Sequence, residues 1–162
     1  VTKLDGDHVK LIKTPTVLDE LIDSVISKFK KRYPEQAVSV EIPNELIVIP
    51  MDALLIEQVI INLLDNAVRH AVEMDKLSLT VRRDGNNAVF EITDNGRGIP
   101  EDRIDRLFEG FYGLTEDSAD SQKKNAGIGL SVCASIIKAH GGSITAENLD
   151  KGGARFGFSL IL

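Results

Sequence analysis

Between about Ala53 and Val72, leucine, isoleucine and valine recur nearly all the way round a helical wheel, behind an aspartate, Asp52, placed to cap the helix. A helix apolar on most of its circumference must be enclosed by other elements, so the rest of the chain has to supply layers around it. The stretch is interrupted by Asn62, Asn66 and His70 at four-residue intervals, with Arg69 beside them, which stacks these polar groups along one face. Asparagine is a poor helix former, so two of them among Ile61, Leu63 and Leu64 are not there for propensity. An amide oxygen is a hard ligand suited to Mg²⁺, which keeps most of its waters and sits between one or two protein oxygens and phosphates. Capping or helix packing would explain the asparagines equally well if they stood alone.

The flanking segments read as an alternation of helices and short strands. Val1 to Pro15 is polar with a few apolar residues, a linker or short strand, and residues 16–162 form one domain. Thr16 is placed to cap a helix with Leu18, Leu21, Ile22, Val25, Ile26 and Phe29 on its apolar face, and Lys28, Lys30, Lys31 and Arg32 form a solvated basic end that suits the helix dipole. Val38 to Ile42 and Leu46 to Ile49 read as short strands, and Leu77 to Val81 and Val89 to Ile92 as a hairpin turning at Asp84 to Asn87. From Glu109 to Asn125 periodicity is lost; a polar loop of that length inside a compact domain points to a functional lid. Ile128 to Ala139 is helical, stopped at His140, Gly141 and Gly142, and Ser143 to Asn148 and Ala154 to Leu162 close the chain as strands.

Two further polar exceptions carry chemistry. Asp94-Asn95-Gly96-Arg97-Gly98-Ile99 follows directly on a strand; its glycines permit close backbone approach, and Asp94 is placed to accept a hydrogen bond from an exocyclic amine. In isolation the hexapeptide reads better as an ordinary Asn-Gly turn. Gly127-Ile128-Gly129-Leu130 lies where the polar loop meets a helix, and free N–H groups at a helix N-terminus make a phosphate site, although a lone Gly-x-Gly is weak evidence. The ordered set is the strong signal.

Composition excludes several other classes. With 19 basic against 25 acidic residues the net charge is -6, the basic residues are not clustered, and there is no Trp, which together argue against a nucleic-acid partner. Apolar runs fall far short of a bilayer span, and the polar start at Val1 does not read as a signal peptide, so no direct membrane contact is expected of these residues. The single cysteine, Cys133, reads as a buried small hydrophobe.

The four motifs in their order resemble the ATP-binding catalytic domain of sensor histidine kinases, within the Bergerat-fold superfamily of gyrase, Hsp90 and MutL ATPases. Asn62 to His70 (Asn-Leu-Leu-Asp-Asn-Ala-Val-Arg-His) is similar to the N box, Asp94 to Gly98 to the G1 box, Phe108 to Tyr112 to the F box and Gly127 to Leu130 to the G2 box. Coverage runs from about Leu18 to Leu162. Val1 to Leu11 and the N box are most similar to Kdp-type potassium-responsive kinases. The resemblance implies an α/β two-layer sandwich, with a mixed sheet of about five strands, helices on one face and an ATP lid over Glu109 to Asn125. It implies ATP and Mg²⁺ as ligands: Asp94 on the adenine amino group, Asn66 on Mg²⁺, Asn62 on the phosphate side, and Arg69 and His70 on phosphates or ribose. Gly96, Gly98, Ile99, Tyr112, Lys123, Lys124, Gly127, Ile128, Gly129 and Leu130 complete the nucleotide set, with Asn62 and Arg69 as the catalytic pair.

In gyrase-like relatives the position four residues before the metal-binding asparagine is a glutamate that activates water. Here it is Asn62, which cannot serve as a general base, so transfer to a presented nucleophile is favoured over hydrolysis. Gly113 stands where the F box usually continues with a basic residue, Asn125 replaces the usual first glycine of the G2 box, and Arg155 sits where many relatives carry a hydroxyl near the adenine site. Lys123 or Lys124 is placed to substitute for the basic residue. None of His8, His70 and His140 lies in a phosphoacceptor motif. The expectation is a catalytic portion of a homodimeric, membrane-anchored kinase, on its cytoplasmic side, working with a histidine-containing dimerisation domain and a response regulator. A Bergerat ATPase and a degenerate nucleotide-binding regulatory module are the alternatives.

Overall fold

The computed structural model describes residues 10–70, 74–109 and 121–162, the stretch 121–128 as backbone. Strand β1 (Thr14–Val17) leads into helix α1 (Leu18–Arg32). Strands β2 (Ser39–Glu41) and β3 (Val48–Met51) precede α2 (Ala53–His70). The hairpin β4 (Leu77–Asp84) and β5 (Asn87–Asp94) is followed by the single-turn α3 (Glu101–Ile104), then α4 (Ser121–Ala139) and the hairpin β6 (Ile144–Asn148) and β7 (Ala154–Ile161).

Five strands form a mixed sheet in the order β2-β4-β5-β7-β6, with β2 parallel to β4 and the other neighbours antiparallel. Period-two alternation turns Leu77, Leu79, Val81, Ala88, Phe90, Ile92, Ala154, Phe156, Phe158 and Leu160 to one face, where all are buried. Phe90 and Phe158 oppose each other across β5 and β7 with rings stacked 4.6 Å apart, which pins the register, since a one-residue slip would turn both rings to the polar face. The same core takes in Leu18, Leu21, Ile22, Val25 and Phe29 of α1, Ile56, Val59, Ile60, Leu63, Leu64 and Ala67 of α2, and Cys133, Ile136 and Ile137 of α4. The α/β two-layer sandwich is thus the observed architecture. Burying each large aliphatic side chain of α2 contributes roughly 1.5–3 kcal/mol, whereas each asparagine costs at most about 0.7 kcal/mol in propensity, so packing decides that this segment is helical.

Several boundaries differ from expectation for identifiable reasons. Thr16 does not cap α1: it belongs to β1, its hydroxyl donates to the Thr14 carbonyl, and Val17 is the N-cap residue, without a side-chain cap. The first helical N–H, that of Leu18, donates to the Ile47 carbonyl instead. The second short strand is β3, displaced to Val48–Met51, and it pairs antiparallel with β1 in a separate two-stranded sheet. Asp52 accepts the Ile56 N–H on its carbonyl, as a helix start should, while its carboxylate takes the N–H of Ile12.

The end of α4 matches expectation in detail. Gly141, at φ 80°, closes a Schellman motif in which Gly142 N–H donates to Ile137 C=O and Gly141 N–H to Lys138 C=O. Just before it, buried His140 joins two helices. Its Nε2 accepts the Asp52 N–H at 3.1 Å, which leaves the ring proton on Nδ1, donated to the Ile136 carbonyl at 2.8 Å. Burial, with Lys13 adding to it, lowers the His140 pKa below 6.5. Protonation would set an N–H against the Asp52 N–H.

The folded state therefore prefers neutral His140 more than the unfolded chain does. Its contribution to stability is present above pH 6.5 and is lost as pH falls from there through the lower folded-state value. Urea midpoints measured from about pH 8 to about pH 5 should fall on acidification, and His140→Gln should flatten that fall. His70, also lowered by burial, will keep part of it.

Candidate functional site

The polar stripe of α2 opens into a cleft of about 180 Å³ lined by Asn62, Asp65, Asn66, Arg69 and His70, with Arg32 from the end of α1 and Gly129 and Leu130 of α4. Asn62, Asn66, Arg69 and His70 are thus brought together as the four-residue spacing required. Asn62 donates from Nδ2 to the Sγ of Cys133, at the 3.8 Å of a sulfur hydrogen bond, which fixes its carboxamide against α4. Cys133 in turn is fully buried and its thiol is pushed up to about 12, mainly by desolvation, so it is inert as a nucleophile. His70 has its pKa lowered by burial and then by the Arg69 guanidinium, which keeps it neutral at physiological pH.

Asp65, one turn along from Asn62, organises the rim. One carboxylate oxygen accepts the Tyr33 hydroxyl and faces Arg32 at 3.5 Å; the other faces Arg69 at 3.6 Å. Sequence reasoning assigned Arg32 to a solvated helix end and passed over Asp65 and Tyr33. Nothing local marks them, because the contact joins α1 to α2 across 32 positions. The result is two guanidinium groups held in the lining of a cleft that also carries two amides.

Asp94 ends β5 on the buried face and is 5% exposed. Its Oδ1 accepts the Gly96 N–H at 2.9 Å, and an ionised carboxylate retains acceptor capacity for a further donor. Gly98 adopts φ 96°, and Ile99 is half-buried against the core, its backbone bonded to the side chain of Asn148. Phe108 packs edge-on to Phe156 of β7, which holds the start of the F box against the core face of the sheet.

Two expectations are corrected. Helix α4 begins at Ser121, so Gly127, Ile128, Gly129 and Leu130 lie inside a helix rather than at its N-terminus, and their N–H groups are committed to the preceding turn. Gln, Lys and Ala are good helix formers, so the polar residues 121–126 extend the helix without contributing apolar periodicity. Arg155 does not share a face of the sheet with Asp94. It lies on the outer face of β7, where it donates to Glu147 at 2.6 Å and faces Glu91 at 3.9 Å, because its neighbours Ala154 and Phe156 point into the core. Tyr112 and Gly113, with the middle of the expected lid, and the side chains of Lys123, Lys124 and Ile128 lie outside the described residues.

The sequence and the fold both have known counterparts. The sequence profile of the family "Histidine kinase-, DNA gyrase B-, and HSP90-like ATPase" matches residues 51–162. The chain belongs to that family. Its relatives are sensor kinases: it is 36% identical to the sensor protein KdpD of Clostridium acetobutylicum, over 99% of this chain and 18% of that protein. It is 39% identical to the adaptive-response sensory kinase SasA of a Nostoc species, over 96% of this chain and 39% of that protein. The catalytic domain of histidine kinase ThkA superposes with a TM-score of 0.76 at 28% identity, covering 93% of this chain and 95% of that one. Full-length ShkA, solved in complex with AMPPNP, superposes with a TM-score of 0.78 at 25% identity, covering 98% and 33%. The chain is thus a histidine-kinase type of ATP-binding catalytic domain, and it spans about a fifth to two fifths of the kinases it matches. Comparable identity to KdpD and SasA does not single out a Kdp-type kinase.

The Asp65 cluster has a spectroscopic consequence. Burial and then the Asp65 carboxylate raise the Tyr33 phenol above 10.0. Asp65→Ala should lower it towards, but not to, that value in a near-ultraviolet absorbance titration of this two-tyrosine chain, and should cost about 1–2 kcal/mol in urea unfolding.

Proposed function

We propose that the cleft binds Mg²⁺-ATP and that the chain donates the γ-phosphoryl group to a histidine on a dimerisation domain outside these residues, in two-component signalling. The observation that carries this reading is the donor set itself. Asn62, Asn66 and Arg69 line one cleft in a helix otherwise committed to the core, and a buried carboxylate, Asp94, stands at the end of the adjoining strand. Asn66 supplies a neutral amide oxygen that suits a hard cation shared with phosphates. Bound Mg²⁺ would neutralise phosphate charge as it develops. Arg69 and neutral His70 bind phosphate or ribose oxygens, and Asp94 accepts from the adenine amino group, with Gly96, Gly98 and Ile99 shaping the pocket. Tyr112, Lys123, Lys124, Gly127, Ile128, Gly129 and Leu130 complete the nucleotide shell from the lid and from α4.

Asn62 separates transfer from hydrolysis. Held through Nδ2 on Cys133 Sγ and without a proton-accepting group, it orients phosphates but does not activate water. Residues 1–15 lead in from the dimerisation domain and 16–162 form the catalytic unit of a homodimeric, membrane-anchored kinase, on the cytoplasmic side. Potassium or osmotic sensing is the narrower reading, resting on the resemblance of Val1 to Leu11 and the N box to Kdp-type kinases, and the solved complex of ThkA with the response regulator TrrA supports a response-regulator partner.

Calorimetry with a nonhydrolysable ATP analogue tests the site. Asp94→Asn should weaken binding by about ten- to a hundredfold, as expected for loss of a buried charge-assisted acceptor; unchanged affinity would rule out the adenine role. Asn66→Asp should alter the Mg²⁺ dependence while sparing metal-free ADP binding. Steady-state ATP turnover by the chain alone should be slow. Turnover at the rate of a dedicated ATPase would favour the hydrolytic alternative, and absence of nucleotide binding the regulatory one.

A further inference from the structure

The loop 94–99 has no regular hydrogen-bonded repeat of its own, so its shape must come from what it touches. On one side Asn95 ties it to the segment entering β4. Its Oδ1 accepts the N–H groups of Asp75 and Lys76 at 3.0 and 2.9 Å, its Nδ2 donates to the Asp75 carboxylate, and its own N–H donates to the Lys76 carbonyl. On the other side the contact comes from the last residue of β6. Asn148 accepts the Ile99 N–H on Oδ1 at 2.7 Å and donates from Nδ2 to the Ile99 carbonyl at 2.8 Å.

A carboxamide pairing with both backbone groups of one residue does what a neighbouring strand would do: it fixes the position and the rotation of that residue together. Aspartate offers no donor for the Ile99 carbonyl, and alanine offers neither group. The clamp also explains the glycine before it. A Cβ on Gly98 would stand 2.8 Å from Asn148 Oδ1, so the carboxamide reaches Ile99 because residue 98 has no side chain. The turn that follows β6 makes the second contact. A Cβ on Gly153 would lie 2.0 Å from the Asp94 carbonyl and 2.9 Å from Asn95 Cα, and the Gly153 carbonyl closes the turn by accepting the Leu149 N–H. The β6–β7 turn is therefore seated under the loop at both of its ends, beside Asp94 and beside Gly98.

We infer that Asn148 is a positioning residue for nucleotide selectivity: with the β6–β7 turn it holds the 94–99 loop in the shape that presents Asp94 to an adenine base. This rests on the proposed nucleotide site and adds to it a residue outside all four motifs. A loop held before the ligand arrives loses less freedom on binding, so the clamp acts through pre-organisation rather than through contact with the ligand.

The test is calorimetry of ADP and GDP, with and without Mg²⁺, on the wild-type chain, Asn148→Ala, Asn148→Asp and Arg155→Ala, with thermal melts of each. Arg155→Ala loosens the same hairpin on its outer face, where Arg155 pairs with Glu147, and serves as the control for stability alone. Asn148→Ala should raise the ADP Kd about tenfold equally with and without metal, and should narrow the ADP over GDP preference. Asn148→Asp, which keeps the acceptor for the Ile99 N–H, should fall between, and Arg155→Ala should shift the melt without changing either Kd. Wild-type binding to ADP with unchanged selectivity in a folded Asn148→Ala or Asn148→Asp protein would overturn the inference. So would equal losses for Asn148→Ala and Arg155→Ala. Failure of the wild type to bind ADP would instead overturn the nucleotide site itself.

Discussion

The burial of α2 is the interaction on which the other parts depend. Ile56, Val59, Ile60, Leu63, Leu64 and Ala67 are all at or near zero exposure, so the helix can rotate neither toward solvent nor relative to the sheet without exposing several of them at once. That rigidity is what aims Asn62, Asn66 and Arg69. A polar stripe on a loosely packed helix would present its amides over a range of angles; here the opposite side of the same helix fixes them. The apolar layer between sheet and helices is thus the device that holds polar groups still, and the cleft is where that layer stops.

Two long-range polar contacts complete the restraint. At its start α2 is bound to the end of α4 through Asp52 and His140, and in its second half to the end of α1 through Asp65, Tyr33 and Arg32. The electrostatics follow from the second of these. The chain carries a net charge of -6, so its overall field does not draw in an anionic ligand. Arg32 and Arg69 concentrate positive charge at the cleft, and Asp65 holds them there while offsetting their mutual repulsion. Any preference for phosphates has to come from groups within a few ångströms, which fits a site with several convergent donors rather than a broad basic surface.

The architecture was legible where local pattern and burial agree. The all-round apolar run of α2, the alternation of β4, β5 and β7, and the glycine stop after α4 led to the right elements because each reflects one face of a core. Legibility failed where propensity acts without periodicity, as at Ser121 to Asn125 of α4 and the single turn α3, and where a tertiary partner outcompetes a local cap, as at Thr16. At the site, Asn62, Asn66, Arg69 and His70 were readable because helical spacing alone puts them on one face. Asp65 and Asn148 were not, because each matters through contacts 32 or 49 positions away. Arg155, placed by resemblance near the adenine side, lies on the face opposite Asp94 because strand parity turns its neighbours Ala154 and Phe156 to the core.

The bases of the cleft bear on how it could handle a proton. Among the described residues that line it, the carboxylate is Asp65, already engaged by Tyr33, Arg32 and Arg69. Asn62 has no proton-accepting function, and the Cys133 thiol it bonds has its pKa pushed up to about 12 and stays protonated. The lining group with a lone pair open to a proton is His70, kept neutral by burial and then by Arg69. A general base for water or a hydroxyl would therefore have to be His70 rather than Asn62 or Asp65. The proposed acceptor, an imidazole that is neutral at pH 7, carries its own lone pair and needs no base to become a nucleophile, so the proposed transfer places no such demand on His70.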